Sequence, residues 1–381
     1  MQTIGFLNLI KMYKFNTVLL WALAIIGSQN AKAQNLKGEI DTLRKEAKIP
    51  GLAYAVFKSN RVLTMEVCGS RRSDVYEPLM LQDKFHLGSN TKAVTSFIAA
   101  KLVEDGKIGW QTSFFQVFPK LKEKSLPEYY DITLQELLSH RAGILPFTSG
   151  LEQKKVPSLK GSTPEKWRQF AEWLLQQPPL KIKKDAFSMA QYSNAGYVLA
   201  ALMLEEVTKK TWATLATETL GKLDAKVLVG FPNKSNVHQP WGHRTGLAWG
   251  MGDNYVEPAK PTDEYNLDLI APAGDLSMAM PDYVKFLQEQ LKGLSGKNSM
   301  LTAPSVLFMH NGLPQYSLGW GNTVVKDRRV SYHDGSAGTF YCHVIMLQDS
   351  DLGIVVMTNI AGRKAEKAIY QIREKLAAQY K

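Results

Sequence analysis

The chain has 381 residues, 45% of them hydrophobic, 21% charged and 10% aromatic, a composition that excludes disorder as the main state. Cys68 and Cys342 are the only cysteines, which excludes a disulfide scaffold and leaves at most one bridge. The net charge of +11 falls by three to +8 without Lys11, Lys14 and Lys32, and the remaining basic residues are scattered apart from short clusters at 154–155 and 181–184, which reads as a solvated surface rather than a nucleic-acid groove.

Residues 1–33 read as a secretory signal peptide: Lys11 and Lys14 precede an apolar run of nine, VLLWALAII, and Ala31-Lys32-Ala33 supplies small residues around a cleavage point. The run is too short to span a bilayer, which takes about 20 apolar residues. A secreted or periplasmic chain starting at residue 34 is therefore expected, with Met12 a second candidate start. Residues 36–47 carry a helical pattern, broken by Pro50-Gly51. Residues 52–58 and 62–67 read as a strand pair around Ser59-Asn60-Arg61. From 91 to 104, Val94, Phe97, Ile98 and Leu102 recur at three- and four-residue steps, predicting a helix. Helical segments follow at 133–139, 164–176 and 195–208. Residues 226–265, rich in Gly, Pro and Asn, look irregular. A helix is expected at 281–292 with Pro281 in its first turn, then strands at 340–347 and 353–358 and a last helix at 364–379. The pattern is a mixed α/β (α+β) chain: an antiparallel sheet lobe from about 34–88 and 266–381, with a mostly helical lobe at about 89–265 inserted between.

Three clusters carry chemistry. Ser89-Asn90-Thr91-Lys92 follows Gly88 at the start of the 91–104 helix and is the only Ser-x-x-Lys in the chain. Ser there suits an N-cap. It also suits a nucleophile, because residues three apart share a helix face and the Lys92 amine can reach the Ser89 hydroxyl. Burial would lower the lysine pKa enough for it to act as a base, and the helix N-terminus offers free N–H groups to an oxyanion. Tyr192-Ser193-Asn194 precedes another helix and reads either as a turn with a cap or as a phenol relay beside an orienting amide. His333-Asp334-Gly335-Ser336 leads into an apolar strand. There, His333 is either a surface histidine or the flank of a groove for an extended substrate, with Gly335 permitting close backbone approach and the Ser336 N–H serving an oxyanion hole.

The order Ser-x-x-Lys, Tyr-x-Asn, His-x-Gly resembles the serine β-lactamase and penicillin-binding-protein superfamily, most closely the branch of class C β-lactamases, DD-carboxypeptidases and related esterases. Flanking stretches agree: Phe85-His86-Leu87-Gly88, residues 132–140, Pro272-Ala273-Gly274-Asp275-Leu276, Tyr316-Ser317-Leu318-Gly319-Trp320-Gly321 and residues 353–359. The resemblance covers roughly 36–375 and implies the β-lactamase/transpeptidase-like fold. It implies Ser89 as acyl-enzyme nucleophile, Lys92 as its base and Tyr192 as proton shuttle. Asn194 would orient Lys92 and the substrate amide, His333 would face the substrate carboxylate or assist Tyr192, and the Ser89 and Ser336 N–H groups would form the oxyanion hole. His140 reads as structural.

One departure bears on substrate. Class C β-lactamases carry Lys-Thr-Gly where this chain has His-Asp-Gly, and a histidine is only partly charged near pH 7. Peptidase or esterase work on a small-molecule or peptide acyl donor is favoured over β-lactam hydrolysis. Arg244-Thr245-Gly246 is a rival third motif with no strand after it. No Gly-x-Ser-x-Gly, His-Glu-x-x-His, Walker or Rossmann pattern occurs, so no cofactor or metal is expected. Trp110, Trp241, Trp249 and Trp320 are candidates for groove lining. The alternative function is a catalytically weak penicillin-binding or cell-wall-peptide-sensing protein on the same fold.

Overall fold

The structure is a computed structural model that describes residues 34–180, 191–245, 256–260 and 266–380. The expected leader, the 181–184 cluster, Gly246 and Trp249 lie outside these residues. No helix among the described residues is long and apolar enough to cross a membrane.

A six-stranded sheet runs in the order Arg61–Gly69, Gly51–Lys58, Leu352–Thr358, Tyr341–Leu347, Arg328–Ser336, Gly321–Val325, and every neighbouring pair is antiparallel. The strands Gly51–Lys58 and Leu352–Thr358 are buried on both faces, so period-two alternation sorts side chains between two cores. Leu52, Tyr54, Val56, Ile354 and Val356 pack with Leu36 and Ile40 of the 34–46 helix and with Ile369, Ile372 and Leu376 of the helix Arg363–Tyr380. Ala53, Ala55, Phe57, Val355 and Met357 join the larger core on the other side, which includes Phe286 and Leu287 of the helix Met280–Leu294. A smaller antiparallel sheet combines Lys84–His86, Leu276–Ala279 and Leu228–Val229.

The nucleophile helix spans Thr91–Glu104, and the 195–208 expectation appears as Asn194–Thr208. Both are almost wholly buried, which removes the polar face an amphipathic surface helix would show. Segment 226–265 holds more order than its composition indicates: a helix at Pro232–Ser235 and a hairpin of His243–Thr245 with Val256–Pro258.

One sequence expectation changes, and the open pairing of the two cysteines is resolved. The His333 cluster does not merely precede a strand; it is the end of one, Arg328–Ser336. Pairing with Gly321–Val325 stops at Tyr332, so the outer edge of residues 333–336 has no strand against it. Cys68 and Cys342 are free thiols on strands separated by two others. Three strand spacings put them about 14 Å apart, beyond the roughly 7 Å limit for a disulfide.

Candidate active site

Ser89 sits in a 3-10 turn, Gly88–Asn90, that feeds directly into the nucleophile helix. The turn is pinned from both sides. His86 accepts the Gly88 N–H at Nδ1 (3.1 Å), and its Nε2 lies 3.0 Å from Asp275 Oδ1. The buried Asn90 amide donates to the carbonyls of Leu87 (3.3 Å) and Cys342 (3.0 Å) and accepts from the Tyr283 hydroxyl (3.2 Å). Gly88 has a φ of +52°, and a Cβ there would lie 2.5 Å from the Ser336 nitrogen. At Gly335 a Cβ would meet the Leu87 carbonyl oxygen at 2.0 Å. The glycine of the third motif thus admits the nucleophile turn of the protein itself against the strand, with no side chain between the Ser89 and Ser336 backbones.

Lys92 is fully buried. Its Nζ donates to Asn194 Oδ1 (2.6 Å) and the Ala273 carbonyl (2.8 Å) and lies 3.3 Å from Ser89 Oγ. None of these partners carries charge, so burial pushes the lysine pKa well below its ordinary value. A neutral amine has two N–H groups and one lone pair. In that neutral form the two carbonyl oxygens would take the N–H groups and leave the lone pair for the serine hydroxyl. This is the geometry a base needs. The Tyr192 ring lies 4.5 Å from the same nitrogen, and its hydroxyl is hydrogen-bonded to Ser89. Burial drives the Tyr192 pKa upward, so the phenol keeps its proton.

Asn194 is fixed at the start of its helix. Ser193 caps the helix through the Gly196 N–H (3.0 Å) and donates to the Leu145 carbonyl (2.7 Å), while the Asn194 amide nitrogen donates to the Phe147 carbonyl (2.8 Å). Its oxygen is committed to Lys92.

His333 is 5% exposed. Nδ1 lies 2.8 Å from the Asp334 carbonyl, which can only accept, so Nδ1 carries a proton. Nε2, 2.9 Å from the Tyr316 hydroxyl, then accepts from it. Burial first, and the neighbouring Lys92 second, push the His333 pKa down to about 4. The imidazole is neutral at pH 7, in place of the partly charged group expected from its reference pKa.

The cleft around Ser89 has a volume of about 730 Å³, and Tyr192, Asn194, Tyr316, His333, Asp334 and Ser336 are among its walls. All seven residues singled out in the sequence converge here, with Gly335 and Lys92 behind the wall. Among the described residues the aromatic lining is tyrosine rather than tryptophan. Trp320 is stacked in the core on His310 (4.4 Å), Trp110 packs near Phe308 (5.8 Å) and Trp241 lies under Arg72 (4.1 Å). Arg244, from the rival motif, does not line the cleft.

No local pattern assigns roles to His86, Tyr316 and Asp275, and His140 reads as structural from the sequence. The buried His140 ring lies 4.3 Å from Tyr192, 4.6 Å from Tyr316 and 5.5 Å from Tyr197. Its Nδ1 accepts the Ser193 N–H (3.0 Å). Arg141 beside it donates to the carbonyls of Tyr316 (2.8 Å) and Pro314 (2.8 Å), joining the Tyr192 side of the cleft to the His333 side.

Comparisons with known proteins show the family and the fold. The Beta-lactamase family matches residues 36–377. Protein flp of Staphylococcus aureus (strain MRSA252) is 21% identical over 346 residues, which cover 89% of this chain and 66% of that protein. The chain thus spans just under two thirds of the length of that curated relative. Among solved structures, the class C beta lactamase from Rhodobacter sphaeroides superposes with a TM-score of 0.70 at 17% identity, covering 90% of this chain and 99% of that one. The D-amino acid amidase from Ochrobactrum anthropi SV3 superposes with a TM-score of 0.69 at 18% identity, covering 91% and 100%. The chain belongs to the Beta-lactamase family and has its fold.

Proposed function

We propose that this member of the Beta-lactamase family is a serine hydrolase that cleaves an amide or ester through an acyl-enzyme on Ser89. The observation that carries this reading is the Lys92 amine: fully buried, within hydrogen-bond distance of Asn194 Oδ1 and the Ala273 carbonyl, and 3.3 Å from Ser89 Oγ. Lys92 takes the serine proton as the hydroxyl attacks the carbonyl carbon. Tyr192, bonded to Ser89 and still protonated, delivers a proton to the leaving group and is reprotonated by Lys92, which restores the amine as base. Asn194 holds Lys92 in line. The N–H groups of Ser89 and Ser336, brought together by Gly88 and Gly335, hold the developing oxyanion. Water then repeats the sequence on the acyl-enzyme and frees the serine.

His333, neutral and bonded to Tyr316, acts here by fixing the wall of the cleft and by holding the edge strand in place. The chain is also proposed to be exported, on the strength of residues 1–33, and N-terminal sequencing of the mature protein tests that assignment.

The hydrolase reading is tested with a panel of D-Ala-D-Ala peptides, nitrocefin and p-nitrophenyl esters, followed by timed loss of a fluorophosphonate or penicillin label. Multiple turnovers of one class support it. A label that forms and never leaves, with no turnover of any class, would show a binding protein instead.

A further inference from the structure

Two residues beyond the helix Leu134–Leu138, the buried His140 has two features that a core histidine normally avoids. Its φ is +63°, in the left-handed region that glycine and asparagine occupy more easily. Its Nε2 is shielded from solvent and has no hydrogen-bond partner among the described residues. Each feature is unfavourable, and such features persist where the surrounding structure over-determines them.

Segment 191–193 supplies that constraint. The His140 carbonyl accepts the Gln191 N–H (3.2 Å) and Nδ1 accepts the Ser193 N–H (3.0 Å), so one residue takes the backbone donors on either side of Tyr192. An acceptor at Nδ1 puts the proton of the neutral ring on Nε2. Burial pushes the His140 pKa well down and keeps the ring neutral. Ser193 therefore dictates the tautomer, and Nε2 is left unpaired as the consequence. The ring also packs 4.3 Å from the Tyr192 ring, whose hydroxyl is bonded to Ser89. The next part of the chain is held elsewhere: the Asn194 N–H donates to the Pro146 carbonyl (2.7 Å), and the Asn194 side chain to the Phe147 carbonyl. His140 thus grips the Tyr192 backbone, and residues 146–147 grip Asn194.

Resting on the Ser89 acyl-enzyme reading, we propose that His140 is a positioning residue for proton delivery: it holds Tyr192 where the phenol can protonate the leaving group. As the bond from the carbonyl carbon to the leaving oxygen or nitrogen breaks, the Tyr192 proton goes to that atom. The proton that Lys92 took from Ser89 then passes to the Tyr192 oxygen. His140 itself exchanges no proton. Loss of its grip slows the step according to how strongly the leaving group needs a proton, and leaves Ser89, Lys92 and Asn194 in place.

The test reads acylation as release of the phenol, with enzyme in excess, from p-nitrophenyl acetate and from phenyl acetate. The acyl group is the same in both. p-Nitrophenol leaves readily as an anion, whereas phenol depends more on the proton from Tyr192. His140→Phe keeps a ring and removes the Nδ1 acceptor, so the rate ratio of the nitrophenyl to the phenyl ester should widen about tenfold, with Ser89 still labelled by a fluorophosphonate. His140→Asn restores a side-chain acceptor and tolerates the left-handed φ, so its ratio should stay within about threefold of wild type. In a Tyr192→Phe background, His140→Phe should leave the ratio unchanged, because the group it positions is gone. If His140→Phe does not fold, His140→Gly, which relaxes the backbone, takes its place. An unchanged ratio in the Phe or Gly variant, a ratio widened as much in His140→Asn, or a further change in the Tyr192→Phe background overturns the inference and leaves the hydrolase reading intact. Labelling of wild-type Ser89 without phenol release from either ester also overturns it. No release and no labelling in the wild type removes both readings.

Discussion

If Lys92 is the base, the pH dependence of acylation should expose its burial. An ordinary lysine has a pKa near 10.4, so its neutral fraction would rise about tenfold per pH step, or about a hundredfold from pH 7 to 9. In this structure Lys92 is fully buried among uncharged partners and its pKa is driven well down, so the neutral amine forms at lower pH than in an ordinary lysine. For p-nitrophenyl acetate, the rise in kcat/KM between pH 7 and 9 should therefore fall well short of that hundredfold, after correction for spontaneous hydrolysis. Lys92→Arg should lose about 10²- to 10⁴-fold in kcat/KM, because guanidinium cannot accept the Ser89 proton. Lys92→Met should lose as much and should also destabilise. It removes the donor from Asn194 Oδ1 and from the Ala273 carbonyl, at roughly 1–3 kcal/mol for each acceptor left unsatisfied. A hundredfold rise over the pH range, or near-normal acylation by Lys92→Arg, would refute the reasoning and leave Lys92 as a fixed charge.

Other consequences follow from the same geometry. Gly335→Ala places a Cβ 2.0 Å from the Leu87 carbonyl oxygen, so it should cost about 2 kcal/mol or more in urea unfolding and displace the nucleophile turn; unchanged stability would mean the close approach is not real. Tyr316→Phe removes the donor to the buried His333 Nε2 and should cost about 1–3 kcal/mol, read as a lower melting temperature at pH 7. Burial pushes His243 to about 4, His310 to about 3 and His333 to about 4. Each folded-state pKa lies below the unfolded value of about 6.5, so the unfolded chain binds protons first, and the stability present above pH 6.5 is lost as the pH falls towards 4. At about 1.4 kcal/mol per pH step, His243 and His333 set an upper bound of roughly 3 kcal/mol each; a urea midpoint equal at pH 7.5 and 4.5 would contradict this.

The nucleophile helix was legible because Val94, Phe97, Ile98 and Leu102 repeat at helical steps and because Ser-x-x-Lys occurs once. The central strands were legible as apolar runs. The strand Arg328–Ser336 was not, because it opens on exposed arginines and lies near the sheet edge, where apolar content falls. The supporting histidines were hidden for another reason. His86 meets Asp275 across 189 residues and His140 meets Ser193 across 53, so no local spacing records these pairs. The charge state of His333 was equally out of reach, since a reference pKa contains no burial.

The most direct measurement is intact-protein and peptide mass spectrometry after brief exposure to a p-nitrophenyl ester, quenched in acid. The account predicts one acyl group on the peptide containing Ser89, decaying with time, and none in Ser89→Ala, whose fold should be unchanged because the hydroxyl bonds only within the site. An acyl group on another residue, or turnover retained by Ser89→Ala, would contradict it.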